Sequence, residues 1–281
     1  MMPEWGAASA AVSLTFDLDA ETSLLALDDS YKDRLTSLSE SRYGITRGLP
    51  RILDLLSSHA IHGTFYVPGE TAERHPAAIE AILAAGHEVG HHGHRHLRSD
   101  KIDPTAQRRE IELGLSALAR FGIVPTGYRS PAWELTSTTL SLLLEYGFQY
   151  DSSCMGDDRP YCERIGDVTI LELPVHWSLV DSSFFAWSLD EGGYLSPTEV
   201  LLDTWLSEFA SVRDDRRHVT LTMHPEVIGR GYRSSALERL IDGLQGNDAR
   251  FMTHSALADA VAATNRGHFL FGVEQGGSSQ R

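Results

Sequence analysis

Short apolar runs rich in β-branched residues alternate with segments of helical periodicity along nearly the whole chain. The runs that predict strands are residues 12–16, 63–67, 88–90, 126–129, 170–175, 219–223 and 251–253. The segments that predict helices are residues 49–56, 76–85, 106–121, 136–146, 197–209, 236–244 and 255–263. Strands and helices in alternation are typical of parallel strands, and this number of units favours a closed or nearly closed α/β barrel over an open sheet.

One segment does not follow the alternation. Residues 24–41 are polar and show no convincing period, so we predict a long loop over the carboxyl end of the strands. Loops of this length often serve as functional lids. A solvated insertion without a role is the alternative.

The length of 281 residues and the hydrophobic content of 42% suit one catalytic domain with a full core. We expect residues 1–11 to form an N-terminal extension and residues 12–264 to form the domain. Residues 265–281 end in a Gly/Ser-rich stretch, which predicts a partly disordered tail.

The net charge of -15 disfavours nucleic acid or an anionic membrane as a partner, because either would need a basic face. The N-terminal residues lack the basic and apolar regions of an export signal, and no apolar run approaches the length of a membrane span. We therefore expect a cytoplasmic protein. A homo-oligomer is left open.

Residues that can carry chemistry follow the predicted strands. In a parallel barrel the carboxyl ends of the strands meet at one face, so these side chains should lie close together. They are Asp17, Asp19, Glu70, His92, His96, Arg129, Asp151 and His224.

Two of these residues suggest a metal site. If the turn that contains His92 and His96 is helical, their spacing puts both imidazoles on one face, and an aspartate from the first strand would complete three ligands. Such a site leaves an open position for water, as catalytic zinc sites do. The alternative is a histidine-rich surface turn that binds nothing specific, since His87, His91 and His94 lie nearby.

Five segments in order resemble the motifs of the polysaccharide deacetylase superfamily, also called the NodB homology or carbohydrate esterase 4 superfamily. The segments are residues 15–19 (TFDLD), 86–96 (GHEVGHHGHRH), 129–131 (RSP), 150–153 (YDSS) and 221–225 (LTMHP). The resemblance covers about residues 12–260. It implies a distorted (β/α)7-type barrel of one domain and hydrolysis of an amide by water that a divalent metal activates.

The resemblance also implies a role for most of the residues at the strand ends. Asp19, His92 and His96 would bind the metal, with Zn²⁺ expected first and Co²⁺ or Mn²⁺ as alternatives. Asp17 would be the general base, and His224 would be the acid that protonates the departing nitrogen.

The spacing of the two aspartates departs from the common family pattern, in which they are adjacent. Here Leu18 separates Asp17 from Asp19, as in the branch with peptidoglycan-deacetylase-like and allantoinase-like members. Alternate side chains of a strand share a face, so both carboxylates can point into the site. Which of them is the base and which the ligand is left open.

The remaining candidates keep two interpretations each. Arg129 would orient the Asp17 carboxylate or form a structural ion pair. Asp151 would relay to a catalytic group or cap a turn. His224 would be the acid or a buried, hydrogen-bonded histidine. Glu70 would contact substrate or a ligand histidine, or simply start a helix.

Aromatic residues are expected to wall the substrate pocket, because they stack on sugar rings and enclose planar heterocycles. They are Trp133, Trp177, Phe184, Phe185, Trp187 and Tyr194. Pro131, beside Trp133, belongs to the same predicted substrate-binding set as Glu70. Arg230 would bring a guanidinium to a substrate carbonyl or carboxylate, or lie in a flexible loop.

Three functions are compatible with these residues. The first is the opening of a small cyclic amide, such as an imide, hydantoin or ureide, in the cytosol. The second is N-deacetylation of an N-acetyl sugar, peptidoglycan or another polysaccharide. The third is an inactive carbohydrate-binding module, which the presence of both a candidate base and a candidate acid argues against. We expect the cyclic amide, because glycan substrates usually lie outside the membrane.

Overall fold

The computed structural model describes residues 10–165, 168–188, 190, 192–215 and 217–264. The predicted tail at residues 265–281 lies outside this part of the chain. The strands are β1 (Ala10–Asp17), β2 (Thr64–Val67), β3 (Glu88–His91), β4 (Gly127–Tyr128), β5 (Tyr150–Asp151), β6 (Tyr161–Ile165), β7 (Val168–Glu172), β8 (Trp187–Ser188), β9 (Gly192–Gly193), β10 (His218–Met223) and β11 (Ala249–Phe251).

Helices separate most of the strands, as the alternating pattern predicts. They are α1 (Thr22–Leu27), α2 (Leu35–Tyr43), α3 (Leu49–Ser58), α4 (Gly69–Arg74), α5 (Pro76–Ala84), α6 (Pro104–Ala119), α7 (Ser137–Glu145), α8 (Ser182–Phe185), α9 (Thr198–Asp214), α10 (Pro225–Ile228), α11 (Gly231–Gln245) and α12 (His254–Thr264).

The main sheet runs β10-β1-β2-β3-β4-β5-β7, and each of these neighbours is parallel. β6 adds to β7 in the antiparallel direction, and β11 pairs with the start of β1. Between β7 and β10 the described residues form no ladder, and one bridge from Val180 to Thr222 links β10 to the chain that follows β7. The predicted distorted barrel of one domain is confirmed, with its seam at this bridge.

β1 explains how the barrel separates its core from its chemistry. All eight of its residues are buried. Val12, Leu14 and Phe16 belong to the main apolar cluster, which also holds residues of the surrounding helices. Thr15 and Asp17 alternate with them and hydrogen-bond to an arginine inside the barrel. The period of two therefore directs polar side chains inward, toward the site.

The prediction of a long loop at residues 24–41 is wrong. The segment contains most of α1, a 3₁₀ turn at Asp29–Asp33 and most of α2, and a π-helical turn at Gly44–Gly48 continues it into α3. Only a few of its side chains, such as Tyr31 and Leu38, are buried. Helices that bury so few side chains need no continuous apolar stripe, so residues 24–41 show no helical period in the sequence.

The edge strand β6 was not predicted either, because its sequence YCERI carries two charges and does not alternate cleanly. Within the described ranges, no helix is both long enough and apolar enough to cross a membrane.

Candidate metal centre and active site

Three predicted ligands meet at the carboxyl end of the barrel. Asp19 follows β1, and His92 and His96 follow β3. The Nε2 atom of His96 lies 3.3 Å from Oδ2 of Asp19, and Nε2 of His92 lies 3.5 Å from Oδ1. The ligand atoms of the three residues all lie within 4.8 Å of one another. The structure therefore brings a candidate metal site together.

The donor set fits a divalent cation. Oδ1 of Asp19 is buried and has no hydrogen-bond partner among the described residues, which is costly for a carboxylate oxygen unless another group binds it. Nδ1 of His92 lies 2.7 Å from the backbone carbonyl of Arg129, so Nδ1 carries the proton and Nε2 keeps its lone pair for a metal. Burial also lowers the pKa of His92, which favours the neutral ligand form.

The pKa of the Asp19 carboxyl reflects the same arrangement. Burial alone would raise it, but the imidazoles of His96 and His92 outweigh burial and hold it well below its usual range. Asp19 is therefore ionised at any pH at which the protein would work, as a metal ligand must be.

The turn between the two histidines is not helical, so helical spacing is not what brings them together. β3 ends at His91, and the next residues form an irregular loop with positive φ at Gly93 (70°) and His96 (58°). Oε2 of Glu110 on α6 accepts two consecutive backbone N–H groups of this loop, at 3.0 and 2.8 Å. The loop thereby brings the imidazole centroids of His92 and His96 to 5.0 Å.

Asp17 lies beside the metal ligands and is held by Arg129. Its Oδ1 accepts from Nη1 of Arg129 at 2.6 Å. The same guanidinium donates to Oγ1 of Thr15 and to both the carbonyl and the hydroxyl of Ser152, each at 3.0 Å. Its carbon lies 4.1 Å from the ring centroid of Tyr66. Arg129 is fully buried and cannot reach a substrate without breaking these contacts.

His224 follows β10 and pairs with a carboxylate that the sequence analysis missed. Nδ1 of His224 lies 2.8 Å from Oδ1 of Asp181, and the backbone N–H of His224 donates to Oδ2 at 2.9 Å. Burial alone would lower the pKa of His224, but the buried Asp181 carboxylate outweighs it and raises that pKa to about 10. His224 is therefore an imidazolium at neutral pH.

A cavity of about 120 Å³ joins these groups. Its lining residues are Asp17, Asp19, His92, His96, Ala132, Trp133, Trp177, Val180, Ser182 and His224. Carboxylates, imidazoles and an aromatic wall thus face one small space. Carboxylates, an imidazolium and a candidate cation site within one cavity suit hydrolysis.

The aromatic wall consists of Trp133 and Trp177, whose ring centroids lie 4.7 Å apart at an interplanar angle of 30°. Trp133 is buried, and Trp177 is 54% exposed. Ala132 and Trp133 both adopt left-handed φ values, 54° and 58°, which non-glycine residues rarely adopt. This strained backbone sets Trp133 against the metal site. The other aromatic candidates do not line this cavity.

Besides Arg129, four predicted site residues lie outside the cavity lining. Glu70 lies in the first turn of α4 and binds Arg74, with Oε1 2.8 Å from Nε. Pro131 is buried directly before the strained turn. Arg230 lies over the ring of Tyr43 at 3.9 Å.

Asp151 is the fourth of these residues. It is fully buried on β5 and accepts a hydrogen bond from the hydroxyl of Ser153 at 2.9 Å. It shares the helix-facing side of the sheet with its register partner Tyr128, and it does not line the candidate site.

A larger cavity, of about 390 Å³, lies at the barrel seam between residues of β10 and the segment after β7. It contains none of the predicted catalytic residues, and the two clusters of potential metal ligands found in the described part of the chain both lie elsewhere. The smaller cavity therefore remains the candidate active site.

Residues 8–150, about half of the chain, match the family model described as polysaccharide deacetylase. The chain belongs to the polysaccharide deacetylase family. The resemblance noted in the five sequence motifs is thereby confirmed, and family membership indicates a hydrolase of amide C–N bonds.

Two relatives are similar over nearly their whole length. A peptidoglycan deacetylase of Helicobacter pylori is 29% identical, over 90% of this chain and 97% of that protein. The crystal structure of a putative polysaccharide deacetylase from Mycobacterium smegmatis has a TM-score of 0.91 and 36% identity, with coverage of 96% of this chain and 97% of the other.

An allantoinase structure shares the fold, with a TM-score of 0.84 and 22% identity over 95% of each chain. At this identity the likeness concerns the architecture alone.

Proposed function

We propose that this protein hydrolyses an amide C–N bond with the help of a divalent cation held by Asp19, His92 and His96. The fit of the donor set supports the cation, and Zn²⁺ suits two imidazoles and one carboxylate, with Co²⁺ or Mn²⁺ as alternatives. A cation bound there would polarise the amide carbonyl and lower the pKa of a water molecule beside it.

Asp17 serves as the general base and Asp19 as the ligand. Asp19 lies between the two imidazoles, whereas Asp17 is bound by Arg129 and faces the same cavity. Arg129 binds one oxygen of Asp17, so the other can accept a proton from water in the cavity. These contacts support Asp17 as the base and Asp19 as the ligand, an assignment that the spacing of the two aspartates around Leu18 leaves open.

His224 serves as the general acid. Asp181 holds its Nδ1 side, so Nε2 is the nitrogen that can give a proton to the departing amine. The ion pair keeps the imidazole charged, and the proton is therefore available before the C–N bond breaks.

We propose a small cyclic amide, such as an imide, hydantoin or ureide, as the substrate. The observation that carries this proposal is the size of the cavity, about 120 Å³, with a flat wall formed by Trp133 and Trp177. A planar ring of five or six atoms fits such a space and stacks on an indole. A substrate of this size would suit a cytoplasmic enzyme.

N-deacetylation of a glycan is the second candidate. This candidate is supported by the similarity to the Helicobacter pylori peptidoglycan deacetylase, which extends along nearly the full length of that protein. An acetamido group also fits the cavity, and the exposed face of Trp177 could then stack on a sugar ring outside it.

A substrate panel separates the candidates. Purified protein with Zn²⁺, Co²⁺ or Mn²⁺, and with chelator, would be assayed on succinimide, hydantoin, allantoin and N-acetylglucosamine oligomers. Metal-dependent opening of a ring would support the first proposal, and release of acetate would support the second. If the metal-loaded protein binds the N-acetylglucosamine oligomers tightly but hydrolyses none of the substrates, the result would instead support a carbohydrate-binding module.

A further inference from the structure

Two buried carboxyl groups meet on the helix-facing side of the sheet, the face opposite to the one that carries the side chain of Arg129. Asp151 on β5 and Glu172 on β7 are register partners of adjacent parallel strands, and both are fully buried. Register partners project their side chains to the same side of the sheet. Their carboxylate oxygens and Sγ of Cys154 lie within 4.8 Å of one another.

Each carboxyl group has one oxygen bound and the other left bare. Oδ1 of Asp151 accepts from the hydroxyl of Ser153 at 2.9 Å. Oε1 of Glu172 accepts the backbone N–H groups of Ser153 and Cys154 at 2.8 and 3.0 Å. Oδ2 of Asp151 and Oε2 of Glu172 are buried without a hydrogen-bond donor among the described residues. Two buried carboxyl groups this close together, each with one oxygen unbound, require a proton or a cation to satisfy them.

The surrounding charges do not compensate two carboxylates. The titratable groups that act on the pair or on the cysteine beside it are Arg129, Tyr128, Tyr161, Cys154 and Glu163. Among them Arg129 is the cation, and its shortest contact with a carboxylate is to Asp17. Burial raises the pKa of Asp151 to about 6, and burial together with Asp151 raises the pKa of Glu172 well above its usual value.

The residues directly after Asp151, Ser152 and Ser153, also hold Arg129 in place. Ser152, directly after Asp151 in sequence, accepts hydrogen bonds from the guanidinium of Arg129 through its carbonyl and its hydroxyl. The hydroxyl of Ser153 accepts the backbone N–H of Ser130, directly after Arg129. A shift of this turn would therefore move the guanidinium that orients Asp17.

We propose that Asp151 and Glu172 share one proton, and that this pair positions Arg129 and through it the carboxylate of Asp17. The O–H of one carboxyl group donates to the bare oxygen of the other, and the pair carries one negative charge. Asp151 is thus a positioning residue and not a catalytic one. The effect on turnover depends on the proposed hydrolase function, whereas the shared proton does not.

The test compares Glu172→Gln with Glu172→Ala. The amide of glutamine can donate to Asp151 and still accept the two backbone N–H groups, so it reproduces the shared proton with the same total charge. We expect kcat of Glu172→Gln to stay within about threefold of wild type. We expect kcat of Glu172→Ala to fall by about 10- to 100-fold with metal content retained, because misplacing a catalytic group costs up to that much.

Two measurements do not depend on activity. The infrared difference spectrum of wild type minus Glu172→Gln at neutral pH should show the carbonyl stretch of a buried protonated carboxyl group; the difference removes the contribution of Glu226, whose pKa burial raises to about 8. The stability of the wild type relative to Glu172→Gln should fall as pH rises above 4.5 toward the raised pKa of Glu172, since the folded state then holds a proton that the unfolded chain has lost.

Each outcome decides the proposal. Absence of the infrared band, or equal kcat in Glu172→Gln and Glu172→Ala, would overturn it. Titration with Zn²⁺ tests whether a cation, rather than a proton, lies between Asp151 and Glu172. If the wild type binds a second equivalent of Zn²⁺ and Glu172→Ala does not, the pair binds a cation in place of the proton. Were the protein inactive on every substrate, the infrared and stability results would still test the pair.

Discussion

The backbone carbonyl of Arg129 accepts a hydrogen bond from Nδ1 of His92 at 2.7 Å. The side chain of the same arginine binds Asp17 at 2.6 Å. One buried residue therefore sets both the tautomer of a proposed metal ligand and the position of the proposed base. A change that moves Arg129 should disturb both functions together.

Removal of either imidazole should abolish metal retention. We expect His92→Ala or His96→Ala to lower metal affinity by at least about 100-fold, more than the loss of an outer-shell partner costs. Metal content after gel filtration measures this. His62→Ala is the matched control, because His62 is exposed and outside the cluster. Equal metal content in all three variants would contradict the ligand assignment.

Asp17→Asn should keep the metal and lose turnover. Asparagine can still accept from Arg129 but cannot take a proton from water, so kcat should fall by about 10²- to 10⁴-fold. Metal content and kcat are measured on the same preparation. Loss of metal in this variant would mean that Asp17 and Asp19 exchange the roles proposed for them.

Asp181→Asn should move the alkaline limb of the kcat profile to lower pH. Asp181 raises the pKa of His224 to about 10, so its removal lets the proton leave the acid earlier as pH rises. The rate loss should stay within the roughly 10²- to 10⁴-fold contribution of a general acid. A profile that does not move would show that His224 does not donate the proton.

The same ion pair makes a signed prediction for stability. The folded pKa of His224 lies above its usual 6.5, so the stabilisation is fully present below that pH and is lost as pH rises through about 10. Urea unfolding of wild type and Asp181→Asn across this range measures it. We expect the difference between the two proteins to shrink toward alkaline pH.

Trp177→Ala should weaken substrate binding without loss of the fold. A stacked aromatic pair contributes about 0.5–1.5 kcal/mol, so KM should rise by about 2- to 10-fold, and Trp177→Phe should restore most of it. Trp133→Ala is the contrast, because this buried indole should cost about 3–5 kcal/mol of stability. An unchanged KM in Trp177→Ala would remove Trp177 from the substrate wall.

The strand-end rule located most of the candidate site from sequence. Asp17, Asp19, His92 and His224 line one cavity because each follows a strand of a parallel barrel. Asp181 was missed because the apolar run before it, Leu179-Val180, is too short to read as a strand.

Other features depend on contacts that a single sequence does not display. The loop that brings His96 back to Asp19 needs a positive φ and a carboxylate from α6, neither of which spacing reveals. Asp151 ends a strand as predicted, yet its neighbour across the sheet is Glu172 and not the metal site. Register between distant strands decided that difference.

The bond between Asp181 and His224 also crosses the barrel seam. At the seam the chain around Val180 meets β10 through one bridge at Thr222, and the backbone N–H of Asp181 donates to the carbonyl of Thr222 at 3.1 Å. Asp181 and His224 therefore stand on opposite sides of the only gap in the ring of strands that the described residues form. In the proposed reaction, loss of the proton from His224 would weaken its ion pair with Asp181, which is one of the contacts across this gap.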